Sequence, residues 1–214
     1  LDVGAGTGAA TAQLAPGFDN VIAIEASRAC VHRMRRRGFS DVIHACDLAD
    51  PAVTRAAGAL GGERGCASEG FDVIALLNVL DRVHEPARLV RQACGLLAAA
   101  SEARLLVAVA LPWDAHVVSA GWGRRRASAP RQPLLPRLQS PAVAGVADTD
   151  MDAHGREAAK WESGANTVAE ALLAAAPGLE VESLSRAPYL CQGDTQGSAF
   201  YALDSAVFVL RYNF

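Results

Sequence analysis

The chain opens on Leu1-Asp2-Val3 running straight into Gly4-Ala5-Gly6-Thr7-Gly8, a turn with glycine at every second position, and Ala9 to Leu14 then carry an apolar periodicity that suits a helix. Glycines at this spacing let the backbone turn sharply and approach a ligand closely, while the helix behind them offers unpaired N–H groups to a negative group. Strand, glycine turn and helix in that order are the opening of a nucleotide-binding α/β fold. A strand feeding Gly4 normally starts several residues earlier, so natural sequence upstream of Leu1 is expected, and such a segment can cover a cofactor pocket.

The alternation continues along the chain. Val21 to Glu25 reads as a second strand, and Ser27 to Arg37 as a helix with Ser27 as N-cap and Gly38 as its stop. Asp41 to Ala45 is a third strand, Gly61 to Gly70 a loop, and Phe71 to Leu77 a fourth strand. Glu85 to Ala100 has the pattern of an amphipathic helix with Pro86 in its first turn, and Ala103 to Leu111 is a fully apolar fifth strand. Five such β-α alternations imply a parallel sheet.

From Asp114 to Asp152 the pattern gives way to Gly, Pro, Ser and Arg, including Gly123-Arg124-Arg125-Arg126, which reads as a flexible, solvated insertion rather than a basic docking loop. A helix follows over Lys160 to Ala176, then a strand from Leu179 to Ser185, a loop carrying Pro188-Tyr189-Leu190-Cys191, and a last strand from Ala206 to Tyr212. With no helix between them, the last two strands are expected to be antiparallel; a six-stranded parallel dinucleotide fold would need a crossover helix there.

Composition narrows the function classes. At 214 residues, 51% hydrophobic and 20% charged, the chain suits one α/β domain and is not disordered in bulk. A net charge of −3 gives no reason to look for nucleic acid, and no uncharged apolar run reaches the ~18 residues of a membrane span. Lys160 is the only lysine among 20 basic residues, which reads as a compositional bias. The five cysteines (Cys30, Cys46, Cys66, Cys94, Cys191) are odd in number and mostly in apolar segments, so buried thiols are expected rather than a disulfide framework.

Glu25 ends the second strand seventeen residues after Gly8, where a carboxylate can accept hydrogen bonds from ribose hydroxyls, and Asp47 repeats the placement after strand three, suited to an adenine amino group. The glycine turn, Glu25 and Asp47 together suit an adenosine-containing ligand, and leave nicotinamide and S-adenosylmethionine both open. Asp2 leans toward the second, because an acid just before the first glycine can hold an amino-acid ammonium. Cys30-x-His32 and His44-x-Cys46 contain zinc-ligand residue types, but the first pair points to different faces of a helix, and no metal is expected.

The segment Leu77-Asn78-Val79-Leu80-Asp81-Arg82-Val83-His84-Glu85-Pro86 lies where strand four delivers side chains to the transferring group. With Leu1-Asp2-Val3-Gly4-Ala5-Gly6, Leu111-Pro112 and Lys160-Trp161-Glu162 it resembles the methyltransferase-like protein 9 family of protein-histidine N-pros-methyltransferases. The resemblance is most specific in Pro188-Tyr189-Leu190-Cys191-Gln192-Gly193-Asp194 and in Tyr201-Ala202-Leu203-Asp204-Ser205-Ala206-Val207-Phe208-Val209-Leu210, and it runs from Leu1 to Arg211. Thr7 replaces the family's usual acid, His116 and Val118 stand where Tyr and Glu are expected, and the loop after Asp194 is one residue longer; these departures bear on peptide preference more than on cofactor use.

The resemblance implies a Rossmann-like class I S-adenosylmethionine-dependent fold, a seven-stranded, mostly parallel sheet with an antiparallel last strand. It implies that Asp2, Gly4 and Gly6 line the methionine end of S-adenosylmethionine, Glu25 its ribose, and Asn78 both cofactor and acceptor. It further implies that Asn78, Asp81, Tyr189 and Tyr201 shape a histidine pocket, with Pro112 and Trp113 as further substrate-binding positions. Methylating imidazole Nδ1 needs a fixed tautomer more than a strong base, and a carboxylate accepting Nε2–H supplies it. Asp81 is the candidate. The expected substrates are His-x-His proteins or peptides, the expected state a monomer, and the compartments suggested by the resemblance are the endomembrane system or the mitochondrion. This chain contains no His-x-His of its own. Three alternatives stand beside this reading: a small-molecule methyltransferase, a nicotinamide-dependent oxidoreductase, and a cofactor-binding protein without activity.

Overall fold

The computed structural model describes residues 1–63, 70–113, 117–119, 126–128, 134, 153–192 and 200–214. Seven strands form one sheet in the order β3-β2-β1-β4-β5-β9-β8. Its first five members are β1 (Asp2–Val3), β2 (Ala23–Glu25), β3 (Val42–His44), β4 (Val73–Leu77) and β5 (Arg104–Leu111). All run parallel, as the alternation predicts. The last two, β8 (Leu179–Gln192) and β9 (Phe200–Tyr212), are antiparallel to each other, and β9 is antiparallel to β5.

The helices follow the strands. α1 (Ala9–Leu14) and α2 (Arg28–Arg36) succeed β1 and β2, and the Ser27 hydroxyl accepts the Cys30 N–H at 3.4 Å as the predicted N-cap. Gly38 closes that helix at φ +93°, a conformation open chiefly to glycine. α3 (Pro51–Glu63), α4 (Pro86–Leu96) and α5 (Ala153–Ala175) follow β3, β4 and β5. Val90, Ala93 and Cys94 form one apolar stripe on α4, and Ala165, Val168 and Leu172 another on α5. Both close over Ile74, Leu76, Leu105, Val107, Val109, Phe208 and Leu210 to make the main core. A smaller core of Ala23, Val31, Met34 and Val42 seats α2.

Five boundaries differ from expectation. The helix α3 reaches Glu63, into the stretch read as a loop from Gly61; residues 64–69, with Cys66, lie outside the described residues. α4 stops at Leu96 because Leu97 turns to extended backbone and bridges to Phe71, so the helix read to Ala100 is shorter. α5 begins seven residues before Lys160. The motif Pro188-Tyr189-Leu190-Cys191 is strand, not loop, and β9 starts at Phe200 rather than Ala206. Pro188, which has no N–H to give, is tolerated because β8 is the edge of the sheet.

A further correction concerns the insertion. β6 (Val117–Ser119) and β7 (Arg126–Ser128) pair antiparallel inside the 114–152 segment, and Leu134 packs against the main core. The rest of that segment, including His116 and most of Gly123-Arg124-Arg125-Arg126, lies outside the described residues, as does the 193–199 loop with Asp194. Cys30, Cys46 and Cys94 are unpaired, and Cys94 is buried; Cys46 is exposed, contrary to the expectation of buried thiols.

Candidate active site

The parallel strands β1, β2, β3 and β4 all end at the same edge, and the turns leaving them carry the polar side chains. Asp2 is 3% exposed in the middle of the sheet, where Thr11 Oγ1 donates to its Oδ2 at 2.6 Å. Burial pushes its carboxyl above the usual range, with the Thr11 hydrogen bond opposing the shift. An acid held this way gains by meeting a cation, since a positive ligand group repays the desolvation of the carboxylate. Thr11 itself is fully buried on α1 and was not among the residues the sequence singled out.

Glu25 fastens the glycine turn. Its Oε2 accepts the Gly6 N–H at 2.8 Å and its Oε1 the Ser27 N–H at 2.7 Å, so one carboxylate joins the turn after β1 to the start of α2. Each oxygen keeps lone-pair capacity, which suits a vicinal diol presented beside it. Asp47 is bound differently: its Oδ1 accepts from the Ala49 N–H at 2.9 Å and Gln92 Nε2 at 2.7 Å, and its Oδ2 from Arg88 at 2.7 Å. The Ala49 hydrogen bond, then Gln92 and Arg88, hold its carboxyl below the ordinary range. Asp47 thus braces the end of β3 against α4 and lines an open cavity of about 500 Å³ with His44, Ala45, Cys46, Ala49 and Asp50.

Two glycines of the turn have different reasons to be glycine. Gly4 and Gly6 take φ +72° and +58°. A Cβ on Gly4 would lie 2.6 Å from Val79 Cγ2, so the turn after β1 packs directly on the turn after β4. A Cβ on Gly6 would meet nothing within 4 Å and would project into open space beside Glu25, a cradle that a ligand can enter. That space and the carboxylates of Asp2 and Glu25 are an acceptor set that fits the ammonium and ribose hydroxyls of S-adenosylmethionine.

After β4 the chain does something unusual for a residue with a side chain. Asn78 sits at φ +53°, its N–H donates to the Ala108 carbonyl at 2.8 Å, and its buried Oδ1 has no hydrogen-bond partner among the described residues. Asp81 follows in a one-turn 3₁₀ helix (Leu80–Arg82), 14% exposed at its side chain, with its Oδ2 accepting from Arg82 Nε at 2.8 Å. It is not the N-cap of α4, a position held by Glu85. The buried Nδ1 of His84 also has no partner among the described residues.

The remaining sequence-named positions lie on the far side of this edge. Leu111-Pro112 is a cis peptide, Pro112 is exposed, and Trp113 is half-buried against the main core. Tyr189 pairs in register with Leu203, and Tyr201 with Cys191, so the two tyrosine positions stand diagonally across the β8–β9 ladder. Among the described residues no three His, Cys, Asp or Glu side chains come together in a metal-binding group, the Cys30, His32, His44 and Cys46 positions included. No described helix is long and apolar enough to cross a membrane.

The contrast between the glycines sets a stability test. Gly4→Ala meets both a left-handed backbone and the Val79 side chain and should cost about 2–5 kcal/mol; Gly6→Ala meets only the backbone term and should cost about 1–2 kcal/mol. Urea denaturation of the two variants measures the difference, and equal losses would contradict the packing of Val79 on Gly4.

The fold recurs among solved structures. A S-adenosylmethionine-dependent methyltransferase from Anabaena variabilis is 12% identical with a TM-score of 0.50, covering 99% of this chain and 76% of that one. A putative methyltransferase from Bacillus halodurans is also 12% identical with a TM-score of 0.50, covering 98% and 90%. The cyclase SpnF is 21% identical at a TM-score of 0.44; the match covers 86% of this chain, which spans about half (52%) of the cyclase's length. The seven-stranded mixed sheet is therefore that of the class I methyltransferases, and the cofactor is S-adenosylmethionine, which sets aside the nicotinamide alternative left open by the glycine turn. A family model described as DREV methyltransferase matches residues 1–135 and 142–212, and the chain belongs to that family.

Proposed function

We propose that this methyltransferase transfers the methyl group to Nδ1 of histidine in His-x-His segments of proteins. The observation that carries the reading is the β4 exit, where Asn78 is held in a left-handed conformation with an unsatisfied, buried Oδ1, three residues before the carboxylate of Asp81. Backbone strain and an orphaned amide at the end of a catalytic strand are tolerated where a ligand uses them. The sequence blocks around Asn78, Tyr189 and Tyr201 that resemble protein-histidine N-pros-methyltransferases support the same acceptor.

Bound S-adenosylmethionine supplies an electrophilic sulfonium methyl and departs as S-adenosylhomocysteine. The residues of the chain do the rest. Asp2 neutralises the ammonium of the amino-acid part, Gly6 leaves room for it, and Glu25 accepts from the ribose hydroxyls. Asp47, already braced by Arg88 and Gln92, lies beside the cavity suited to the adenine end. Asn78 bridges the two ligands at the end of β4. Asp81 accepts Nε2–H of the acceptor imidazole, which leaves the Nδ1 lone pair as nucleophile and stabilises positive charge as it develops on the ring. Tyr189 and Tyr201, with Pro112 and Trp113, border the acceptor.

The cofactor assignments separate by ligand. Asp2→Asn should weaken S-adenosylhomocysteine binding about 10- to 100-fold, the value of a charge-assisted hydrogen bond, and leave 5′-methylthioadenosine, which lacks the amino-acid part, unchanged. Glu25→Ala should weaken both. Calorimetric titration reads the pattern, and an equal loss of both ligands in Asp2→Asn would contradict the ammonium role.

Tritium transfer from labelled S-adenosylmethionine to an Ala-His-Ala-His peptide tests the acceptor, with the His→Ala peptide as control. Asp81→Asn should lower kcat about 10²- to 10⁴-fold and retain S-adenosylhomocysteine binding. Near-native turnover by that variant would overturn the role of Asp81. Label entering a small-molecule extract but never the peptide would favour a small-molecule acceptor instead.

A further inference from the structure

One buried polar group at the acceptor edge takes no part in the site described above. Ser205 on β9 is 4% exposed, and its hydroxyl has no hydrogen-bond partner among the described residues. Its neighbours in register are Ala110 on β5 and Ala187 on β8, so a row of three small residues crosses the last three strands on one face of the sheet. That face is the opposite of the one on which Ala206, Phe208 and Leu210 enter the main core.

The row lies where an acceptor would run. The Asn78 N–H is hydrogen-bonded to the Ala108 carbonyl on β5, and Ser205 pairs with Ala110 two residues further along that strand. From β4 to β9 is two strand spacings, roughly 10 Å. The next row toward the carboxyl edge holds Leu203 opposite Tyr189, so position 189 is the diagonal neighbour of Ser205 on the same ladder. An unsatisfied buried hydroxyl between two alanines is unfavourable for the fold alone, and alanine would avoid the cost. A ligand polar group arriving on that face removes the penalty.

We infer that Ser205 is a specificity-determining residue whose hydroxyl hydrogen-bonds the peptide segment flanking the methylated histidine. The inference rests on the histidine-peptide reading and goes beyond it by assigning the floor of the peptide track to the Ala110–Ser205–Ala187 row. At roughly 10 Å from Asn78 the hydroxyl is too far to touch the reacting ring and is within reach of the adjoining residues in an extended His-x-His segment.

The test is steady-state kinetics of Ser205→Ala on the Ala-His-Ala-His peptide, with S-adenosylhomocysteine affinity and thermal stability measured alongside. The expected result is a KM for peptide raised about tenfold, kcat and cofactor affinity unchanged, and a Tm equal to or above the parent's. An unchanged KM would overturn the assignment of Ser205 while leaving the histidine reading in place. A parent protein that binds S-adenosylhomocysteine but leaves the peptide unmethylated would overturn the histidine reading and this inference together.

Discussion

One carboxylate fastens the cofactor edge together. β1 has only two residues in the ladder, yet it lies at the centre of the sheet between β2 and β4, and the turn that leaves it runs through three glycines with positive φ. Such a turn has little to hold its shape by itself. Glu25 supplies the constraint by accepting N–H groups from Gly6 on one side and Ser27 on the other, while Val79 closes against Gly4 from the β4 side. The result is a rigid concavity bounded by the ends of three strands, with Asp2 buried beneath it. A preformed site of this kind loses little ordering entropy when a ligand arrives.

The other half of the edge is built on different physics. β5, β9 and β8 form long antiparallel ladders, and β9 buries Ala206, Phe208 and Leu210 on the face covered by α4 and α5. That anchoring carries Ser205 and Asp204 alongside Ala110 and Leu111 at the carboxyl end of β5. Arg186 stacks on Trp161 and pairs with Asp204, binding β8, β9 and α5 at the same level. One half of the edge is thus made of turns locked by backbone N–H hydrogen bonds, and the other half of strands locked by packing.

Much of this was legible in the residues. The five β-α alternations and the lack of a helix between the last two strands were enough to predict a parallel sheet with an antiparallel finish. The exact extent of α1 followed from its periodicity, and Ser27 and Gly38 marked the two ends of α2. What was not legible depends on tertiary partners. Pro188 argues locally against a strand, and only the edge position of β8 makes it one. The early stop of α4 is set by Phe71, a residue 26 positions away in the chain from its bridging partner Leu97. Thr11, Arg88 and Gln92 carry no motif, and their importance comes from what the fold places next to them.

The central claim is that the β4 exit presents histidine Nδ1 to the methyl donor. Its most direct measurement is mass spectrometry of an Ala-His-Ala-His peptide after incubation with the protein and S-adenosylmethionine, with fragmentation and reference standards to assign the ring nitrogen. The account predicts a single methyl on Nδ1. Methyl on Nε2 would contradict the tautomer that Asp81 is assigned to fix, and an unmodified peptide from protein that binds S-adenosylhomocysteine would contradict histidine as the acceptor.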